Sequence, residues 1–264
     1  MPIVDTHCHA SPYWFAPVES LLDEMNRSRV DKAVLIQIGG MYDNSYLIEC
    51  MGRFPGRFSA VGMVDTDRPD APEQLEAWVK QGVEGIRLSP AERSPGSDAI
   101  AIWRKAAELG IVVSAQGSDV ESFASPDFED VIRELPNLKI IIEHLGGGGR
   151  DTTPPYSKYR KVLELAKYPN TFMKVPGFGE ICPRPMPFRQ PFPFENIPPL
   201  IEMAIEAFGA QRLMWGSNFP PVAGRGEGYA NALFWPMERI KFKSEEDKEW
   251  VFGKTAMSLW KFGE

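Results

Sequence analysis

The sequence alternates from end to end between short apolar segments and longer amphipathic segments. The apolar segments are continuous, as in residues 34–38, which is typical of parallel strands that are buried on both faces. The segments between them carry apolar residues at helical spacing; the one that begins at Pro17 places Leu21 and Met25 on one face. Eight strands are predicted, at residues 3–9, 34–38, 58–64, 83–88, 111–116, 138–143, 171–175 and 212–217.

Eight helical patterns alternate with these strands; the first begins at residue 17, and the others cover residues 44–53, 71–81, 98–109, 128–134, 156–167, 201–208 and 229–260. Eight strand–helix units within 264 residues predict an α/β protein, a (β/α)8 TIM barrel that forms a single domain over residues 1–264. An open doubly wound sheet is the alternative, but it usually has fewer strands and a glycine-rich first turn, which this chain lacks. The proline-rich segment 183–199 lies inside one unit and is predicted to be a long loop over the active face.

The charge balance argues against several classes of partner. Asp and Glu outnumber Lys and Arg by 36 to 29, and this net charge of −7 disfavours nucleic acid and anionic membranes. No apolar run approaches membrane-spanning length, and no basic segment of a signal peptide precedes the first strand. The three cysteines are odd in number and far apart, which is typical of free thiols in a reducing compartment. We therefore expect a cytoplasmic protein that binds a small molecule. The sequence leaves open whether the chain forms a homo-oligomer.

Two histidines end the first predicted strand. His7 and His9 are two residues apart, so they point to the same side of the strand, with Asp5 behind them and Cys8 on the opposite face. Two imidazoles at the end of a buried strand can bind one metal ion or flank one substrate. The remaining histidine of the chain, His144, follows the sixth strand. The alternative is that His7 and His9 are hydrogen-bonded residues without a chemical role.

Polar residues follow most of the other strands as well. Because a barrel carries its active site at the carboxyl ends of the strands, these residues are candidate site residues. They are Gln37, Arg87, Gln116, His144, Lys174 and Asn218. An ordinary loop residue is the alternative at each position, and it is strongest for Gln37 and Lys174. A buried Arg87 would be costly unless an anion binds there, which suggests an acidic substrate, whereas Arg225 is expected to be an exposed loop cation.

Four motifs, and the closing segment 253–260, carry a resemblance to a known family. The motifs are Asp5-Thr6-His7-Cys8-His9, Gly85-Ile86-Arg87-Leu88, Ile142-Glu143-His144-Leu145-Gly146 and Met214-Trp215-Gly216-Ser217-Asn218-Phe219-Pro220. With them the chain resembles the amidohydrolase superfamily, in the branch of amidohydrolase-related lactonases and decarboxylases, over essentially its whole length. The resemblance implies that the paired histidines and His144 bind a divalent metal ion, usually zinc, or contact the substrate directly.

Two residues depart from the pattern of that family. Gln116 stands where two-metal members have a histidine, which argues against a binuclear site. Asn218 stands where the family normally has the aspartate that activates water, and an amide cannot accept that proton. Other carboxylates could replace it, but Glu143 is expected to point away from His144. Glu180 is expected to be an ordinary loop carboxylate rather than a substitute base.

We therefore predict a hydrolase-like enzyme that hydrolyses or rearranges a small carboxylated cyclic ester. The predicted catalytic residues are His9, His144 and Asn218. The predicted substrate-binding residues are Arg87, Gln116 and Lys174. The predicted ligands of one divalent ion, with zinc favoured and an empty site as the alternative, are His7, His9 and His144. Two other functions remain open: decarboxylation of an aromatic or muconate-like acid, and ligand binding without turnover because Asn218 replaces the aspartate.

Overall fold

The structure is a computed structural model that describes residues 1–117, 119–151, 153–182, 194 and 196–263. Its eight strands form one parallel sheet, paired in chain order from the first to the eighth. They are β1 (Val4–Cys8), β2 (Lys32–Ile36), β3 (Phe58–Gly62), β4 (Gly85–Leu88), β5 (Val112–Ala115), β6 (Ile140–Ile142), β7 (Thr171–Val175) and β8 (Leu213–Trp215). Helices alternate with the strands, so the predicted (β/α)8 barrel is confirmed.

Most of the helices bury one face in the core. They are α1 (Val18–Ser28), α2 (Ser45–Arg53), α3 (Ala71–Lys80), α4 (Ala101–Glu108), α5 (Val120–Phe123), α6 (Pro126–Glu134), α7 (Ser157–Leu163), α8 (Leu200–Phe208), α9 (Tyr229–Arg239), α10 (Glu245–Glu249) and α11 (Thr255–Met257). α1 shows the pattern, because Val18, Leu21 and Met25 are buried and the helix ends at Arg29 in the left-handed conformation. None of the helices in the described residues is long and apolar enough to cross a bilayer.

The sequence predicts one helical region over residues 229–260, whereas the structure divides it. α9 ends at Arg239, and Ser244 starts α10 by accepting a hydrogen bond from the backbone N–H of Asp247. A π-helical turn at Trp250–Lys254 then leads into α11. The predicted proline-rich loop at 183–199 lies largely outside the described residues.

Alternation along the strands separates two apolar layers. Ala33 and Leu35 of β2 face the helices, while Val34 and Ile36 belong to the inner cluster of the barrel. The closing residues Trp260 and Phe262 pack against this inner cluster. The lower part of the barrel is therefore largely apolar, with the hydroxyl of Ser59 donating to Glu84 there, and the charged side chains that approach Glu143 lie near the carboxyl ends of the strands.

The barrel closes between β8 and β1 through residues just beyond β8. The backbone N–H of Asn218 donates to the carbonyl oxygen of His7 (2.7 Å), and that of His9 donates to the carbonyl oxygen of Phe219 (2.8 Å). The buried carboxylate of Asp5 accepts hydrogen bonds from the backbone N–H (2.9 Å) and the hydroxyl (2.6 Å) of Ser217. Asn218 has a φ of 55°, a region that asparagine enters more easily than most residues. This closure places Asn218 beside the paired histidines.

Candidate functional site

A charged layer lies inside the barrel near the carboxyl ends of the strands. Arg87 of β4, Ser114 of β5 and Lys174 of β7 alternate with outward-facing apolar residues, and all three approach Glu143. Arg87 donates to both carboxylate oxygens, from Nε to Oε1 (3.1 Å) and from Nη2 to Oε2 (2.8 Å). The hydroxyl of Ser114 donates to Oε1 (2.7 Å), and Nζ of Lys174 lies 3.8 Å from the same oxygen.

Glu143 is the anion that makes two buried cations tolerable. Burial alone would raise its pKa, but Arg87 and Lys174 hold the pKa of this carboxyl well below its usual range. Arg87 therefore does not require a bound anion, because Glu143 pairs it from within the chain, and its role in binding an acidic substrate stays a prediction. Burial, which outweighs Glu143, lowers the pKa of Lys174 to about 8.

The prediction that Glu143 points away from His144 is also wrong. Its Oε2 lies 4.0 Å from Nε2 of His144. The strict alternation of strand side chains does not apply here, because β6 ends at Ile142 and His144 has a φ of 49°. The backbone turns at His144 and brings both side chains to the mouth of the barrel.

The three histidines converge, and each has its Nδ1 in contact with a partner. Nδ1 of His9 donates to the carbonyl oxygen that ends β2 (2.8 Å), and Nδ1 of His144 donates to Oε2 of Glu180 (2.8 Å). These partners can only accept, so the remaining Nε2 atoms of His9 and His144 carry the lone pairs. Nδ1 of His7 lies 3.1 Å from Nζ of Lys174. The ring of His7 lies between the others, with centroid distances of 5.0 Å to His9 and 4.3 Å to His144.

This arrangement suits a metal ion. Nε2 of His7 is buried and has no hydrogen-bond partner among the described residues, so it is an orphaned polar atom aimed at the site. Burial lowers the pKa of His7 well below its usual value and that of His9 to about 4, so both are neutral, as metal ligands must be. Within the described part of the chain, His7, Glu143 and His144 place ligand atoms within 4.8 Å of one another. The oxygens of Glu143 are already engaged by Arg87 and Ser114, which leaves the imidazoles of His7 and His144 as the available donors of this group; His9, the third predicted ligand, is not part of it.

Glu180 and Arg225 line the site, although Glu180 was expected to be an ordinary loop carboxylate and Arg225 an exposed loop cation. Glu180 follows β7 in a short 3-10 turn, Phe178–Glu180, and its side chain is only 10% exposed. Its carboxylate accepts hydrogen bonds from Nδ2 of Asn218 (2.9 Å) and from Arg225. Although burial opposes this, His144 and Arg225 lower the pKa of Glu180, which is therefore ionised.

Two cavities meet at His144. One, of about 360 Å³, is lined by His144, Glu180, Arg225 and several glycines. The other, of about 430 Å³, is lined by Arg87, Gln116, Glu143 and His144. The predicted substrate-binding residues Arg87 and Gln116 thus line a cavity. Lys174 is buried beneath the histidines and contacts His7 and Ser114 instead.

Sequence reasoning missed Glu143 and Glu180 for different reasons. Glu143 had a usable signal, because it directly follows the apolar residues of the sixth strand and precedes His144. Glu180 had only a weak signal, two glycines at positions 177 and 179 in a strand-end loop, where backbone packs closely. The side-chain amide of Gln37, in contrast, forms hydrogen bonds within its own loop: it donates to the carbonyl oxygen of Asp43 and accepts from the backbone N–H of Ile38. This agrees with the interpretation of Gln37 as an ordinary loop residue.

A parallel (β/α)8 barrel with three histidines and a buried carboxylate at its carboxyl end has the architecture of a barrel hydrolase. The chain belongs to the amidohydrolase family, whose family model matches residues 4–262. This confirms the resemblance seen in the sequence motifs, and the chain is accordingly an enzyme of hydrolase type.

Individual relatives agree with that family. The chain is 26% identical over 254 residues to an L-fucono-1,5-lactonase of Burkholderia ambifaria, covering 89% of this chain and 81% of the relative. It shares its fold with a candidate 2-pyrone-4,6-dicarboxylic acid hydrolase of Pseudomonas putida (23% identity, TM-score 0.76, 100% and 98% of the two chains). The same fold occurs in an amidohydrolase of Burkholderia multivorans with bound zinc (19%, TM-score 0.77, 98% and 99%). It also occurs in a 2,6-dihydroxybenzoate decarboxylase of Rhizobium (17%, TM-score 0.67, 98% and 98%). Proteins similar to this chain, in sequence or in fold, are thus named for lactone hydrolysis and for decarboxylation.

Proposed function

We propose that this protein hydrolyses a small cyclic ester, a lactone that carries a carboxylate. The observation that carries the proposal is the grouping of His7, His9 and His144 at the mouth of the barrel, where His144 lines both cavities. A lactone carbonyl bound beside His144 would lie close to Nε2 of His7, which has no partner among the described residues. The relative named as a lactonase supports this substrate class over other esters.

The three histidines are also the residues that would hold one divalent metal ion, with zinc favoured. Such an ion would polarise the carbonyl and lower the pKa of a water molecule, so that a weaker base in the protein would be sufficient. His9 and His144 are prepared for this role because their Nδ1 protons are already donated elsewhere. His7 would join them when its Nδ1 proton is donated to Lys174, which must then be neutral.

Without a metal ion, His7 has a different use. If Lys174 is protonated it donates to Nδ1 of His7, and the ring then carries its proton on Nε2. That N–H is buried and unpartnered among the described residues, so it is free to donate to the oxygen of a carbonyl that develops negative charge. The site can therefore polarise a lactone carbonyl in either state.

The carboxylate of the substrate is proposed to bind in the cavity lined by Arg87 and Gln116. Arg87 uses three of its five N–H groups on Glu143 and on the carbonyl oxygen of Gln37, and its side chain is 11% exposed. Its remaining N–H groups and the side-chain amide of Gln116 are suitable donors for an acidic group.

We also infer a cytoplasmic location, because Cys8, Cys50 and Cys182 are all free and buried.

Decarboxylation of an aromatic acid is the second candidate. The observation that favours it is Asn218, since a reaction that does not deprotonate water has no need of an aspartate at this position. The shared fold with a named decarboxylase shows only that the barrel can serve such a reaction.

One set of assays tests these alternatives. Purified protein is analysed for bound metals and then assayed against sugar lactones, a pyrone dicarboxylate and hydroxybenzoic acids, by proton release and by carbon dioxide release. We expect proton release from a carboxylated lactone, with at most one metal ion per chain, and a loss of ~10²–10⁴-fold in the His144→Asn variant. The matched control is Glu206→Gln, on the exposed side of α8, which should leave the rate unchanged. Carbon dioxide release without lactone turnover would replace the proposal by the second candidate, and binding without turnover would indicate a non-catalytic barrel.

A further inference from the structure

The position after β8 lacks a carboxylate, but the site does not. Asn218 and Glu180 are 38 residues apart in sequence, yet Nδ2 of Asn218 donates to Oε1 of Glu180 over 2.9 Å. The two side chains are 4% and 10% exposed, respectively, so this contact is largely shielded from water. An amide and a carboxylate thus form a pair in which the charge comes from the loop after β7.

Glu180 determines which way the amide of Asn218 faces. An ionised carboxylate only accepts hydrogen bonds, so the NH2 group must point toward it. The carbonyl oxygen of the amide then faces away from Glu180, and no described residue donates to it. Asn218 consequently keeps an acceptor that no described residue uses.

Glu180 also determines the protonation pattern of His144. Its Oε2 accepts the Nδ1 proton of His144 over 2.8 Å, so the lone pair of this ring is on Nε2. Nε2 is on the side of the barrel centre, 4.0 Å from Oε2 of Glu143. A carboxylate behind a histidine both orients the ring and makes its free nitrogen a better electron-pair donor.

The turn that carries Glu180 is itself anchored. The carboxylate of Glu227 accepts hydrogen bonds from the backbone N–H groups of Phe178 (3.2 Å) and Gly179 (2.8 Å). A Cβ at Gly177 would collide with this carboxylate and one at Gly179 would be crowded by it, so the glycines allow the approach. Arg225 contacts Glu180 from the other side. A loop residue without a role would not require this support.

We propose that Glu180 is the positioning residue that supplies, from the loop after β7, the negative charge missing after β8. It holds His144 with the proton on Nδ1 and the lone pair of Nε2 toward the site, and it turns the carbonyl oxygen of Asn218 the same way. The catalytic consequence rests on the proposed function, whereas the arrangement of protons does not.

The first test is nitrogen-15 NMR of the imidazole rings, which is simple because the chain has three histidines. We expect His144 and His9 of the wild-type protein at neutral pH to show a protonated Nδ1 and an unprotonated Nε2. In Glu180→Met, His144 loses its acceptor and should shift toward the other neutral form, while His9 serves as the internal control. Glu206→Gln, on the exposed side of α8, should change neither ring. A wild-type His144 with its proton on Nε2 would overturn the proposal, even if no variant folds.

The second test measures zinc binding and turnover. In Glu180→Met, zinc affinity measured against a chelator should fall by ~10–100-fold, and kcat should fall while KM changes little. The double variant Glu180→Gln with Asn218→Asp exchanges the positions of the amide and the carboxylate. The introduced glutamine can accept a hydrogen bond from His144 and donate one to the new carboxylate. It should recover part of both losses. Unchanged zinc affinity in Glu180→Met, or a double variant no better than Glu180→Met, would overturn the role of Glu180. If the wild-type protein hydrolyses no lactone while His144 and zinc behave as stated, the proposed function fails and Glu180 keeps its role.

Discussion

Replacing Glu143 by glutamine should lower the free energy of unfolding by much more than the loss of an exposed ion pair does. Glutamine has nearly the same shape, so the change removes a charge and leaves the volume intact. Arg87 and Lys174 would then face each other in a buried layer without the anion between them, since the three side chains are at most 11% exposed. Oε1 of the new amide could still accept one hydrogen bond, which moderates the loss.

The magnitude follows from the geometry. The charge pair between Arg87 and Glu143 is separated by 2.8 Å. At an effective dielectric constant of ~20, unit charges ~4 Å apart interact by about 4 kcal/mol. Breaking a buried pair by removing one partner costs ~3–5 kcal/mol in measured cases, which agrees with that value. For a barrel of this size, such a loss corresponds to a fall in Tm of ~6–20 °C.

The assay is urea unfolding at pH 7, followed by circular dichroism. The matched control is Asp130→Asn, which removes an equally short pair with Arg133 on the surface (2.6 Å, with the side chains 64% and 59% exposed). That variant should lose less than ~1 kcal/mol, because water and salt screen exposed pairs. If Glu143→Gln costs no more than Asp130→Asn, the buried layer is not held together by this charge and the reasoning is wrong.

Two predictions concern the pH dependence of stability. Burial raises the pKa of Asp5 from 3.8 to about 6, so the stability that its neutral form provides is lost as the pH rises through this interval. Asp5→Asn cannot ionise, and urea unfolding should show its advantage over the wild type growing by about 2 kcal/mol between pH 4 and 6; a constant difference would contradict the assignment. Burial lowers the pKa of Lys174 from 10.5 to about 8, so between these values the unfolded chain binds a proton that the folded chain has released. The free energy of unfolding should therefore rise with pH in this interval relative to Lys174→Met, and a parallel pH dependence of the two proteins would refute it.

Local sequence was sufficient for the architecture. Continuous apolar runs such as residues 140–142 are typical of strands covered on both faces, and their alternation with helical patterns leaves few folds open. The same alternation predicts that His7 and His9 share a face, because side-chain direction within one strand depends only on position. The boundaries of elements near the C-terminus were less accessible, since a π-helical turn at Trp250–Lys254 depends on packing.

The partners of the site residues were decided by tertiary structure. Arg87 and Glu143 are 56 residues apart, and Asn218 and Glu180 are 38 apart, so no local pattern relates them. Each pair forms because closure of the barrel brings several strand ends into one mouth, where buried charges must be neutralised by whatever carboxylate is within reach. The sequence alone determined the fold and the shared face of His7 and His9, through periodicity. Only the folded chain decided which carboxylates hold them, because that depends on contacts across the barrel rather than along the strand.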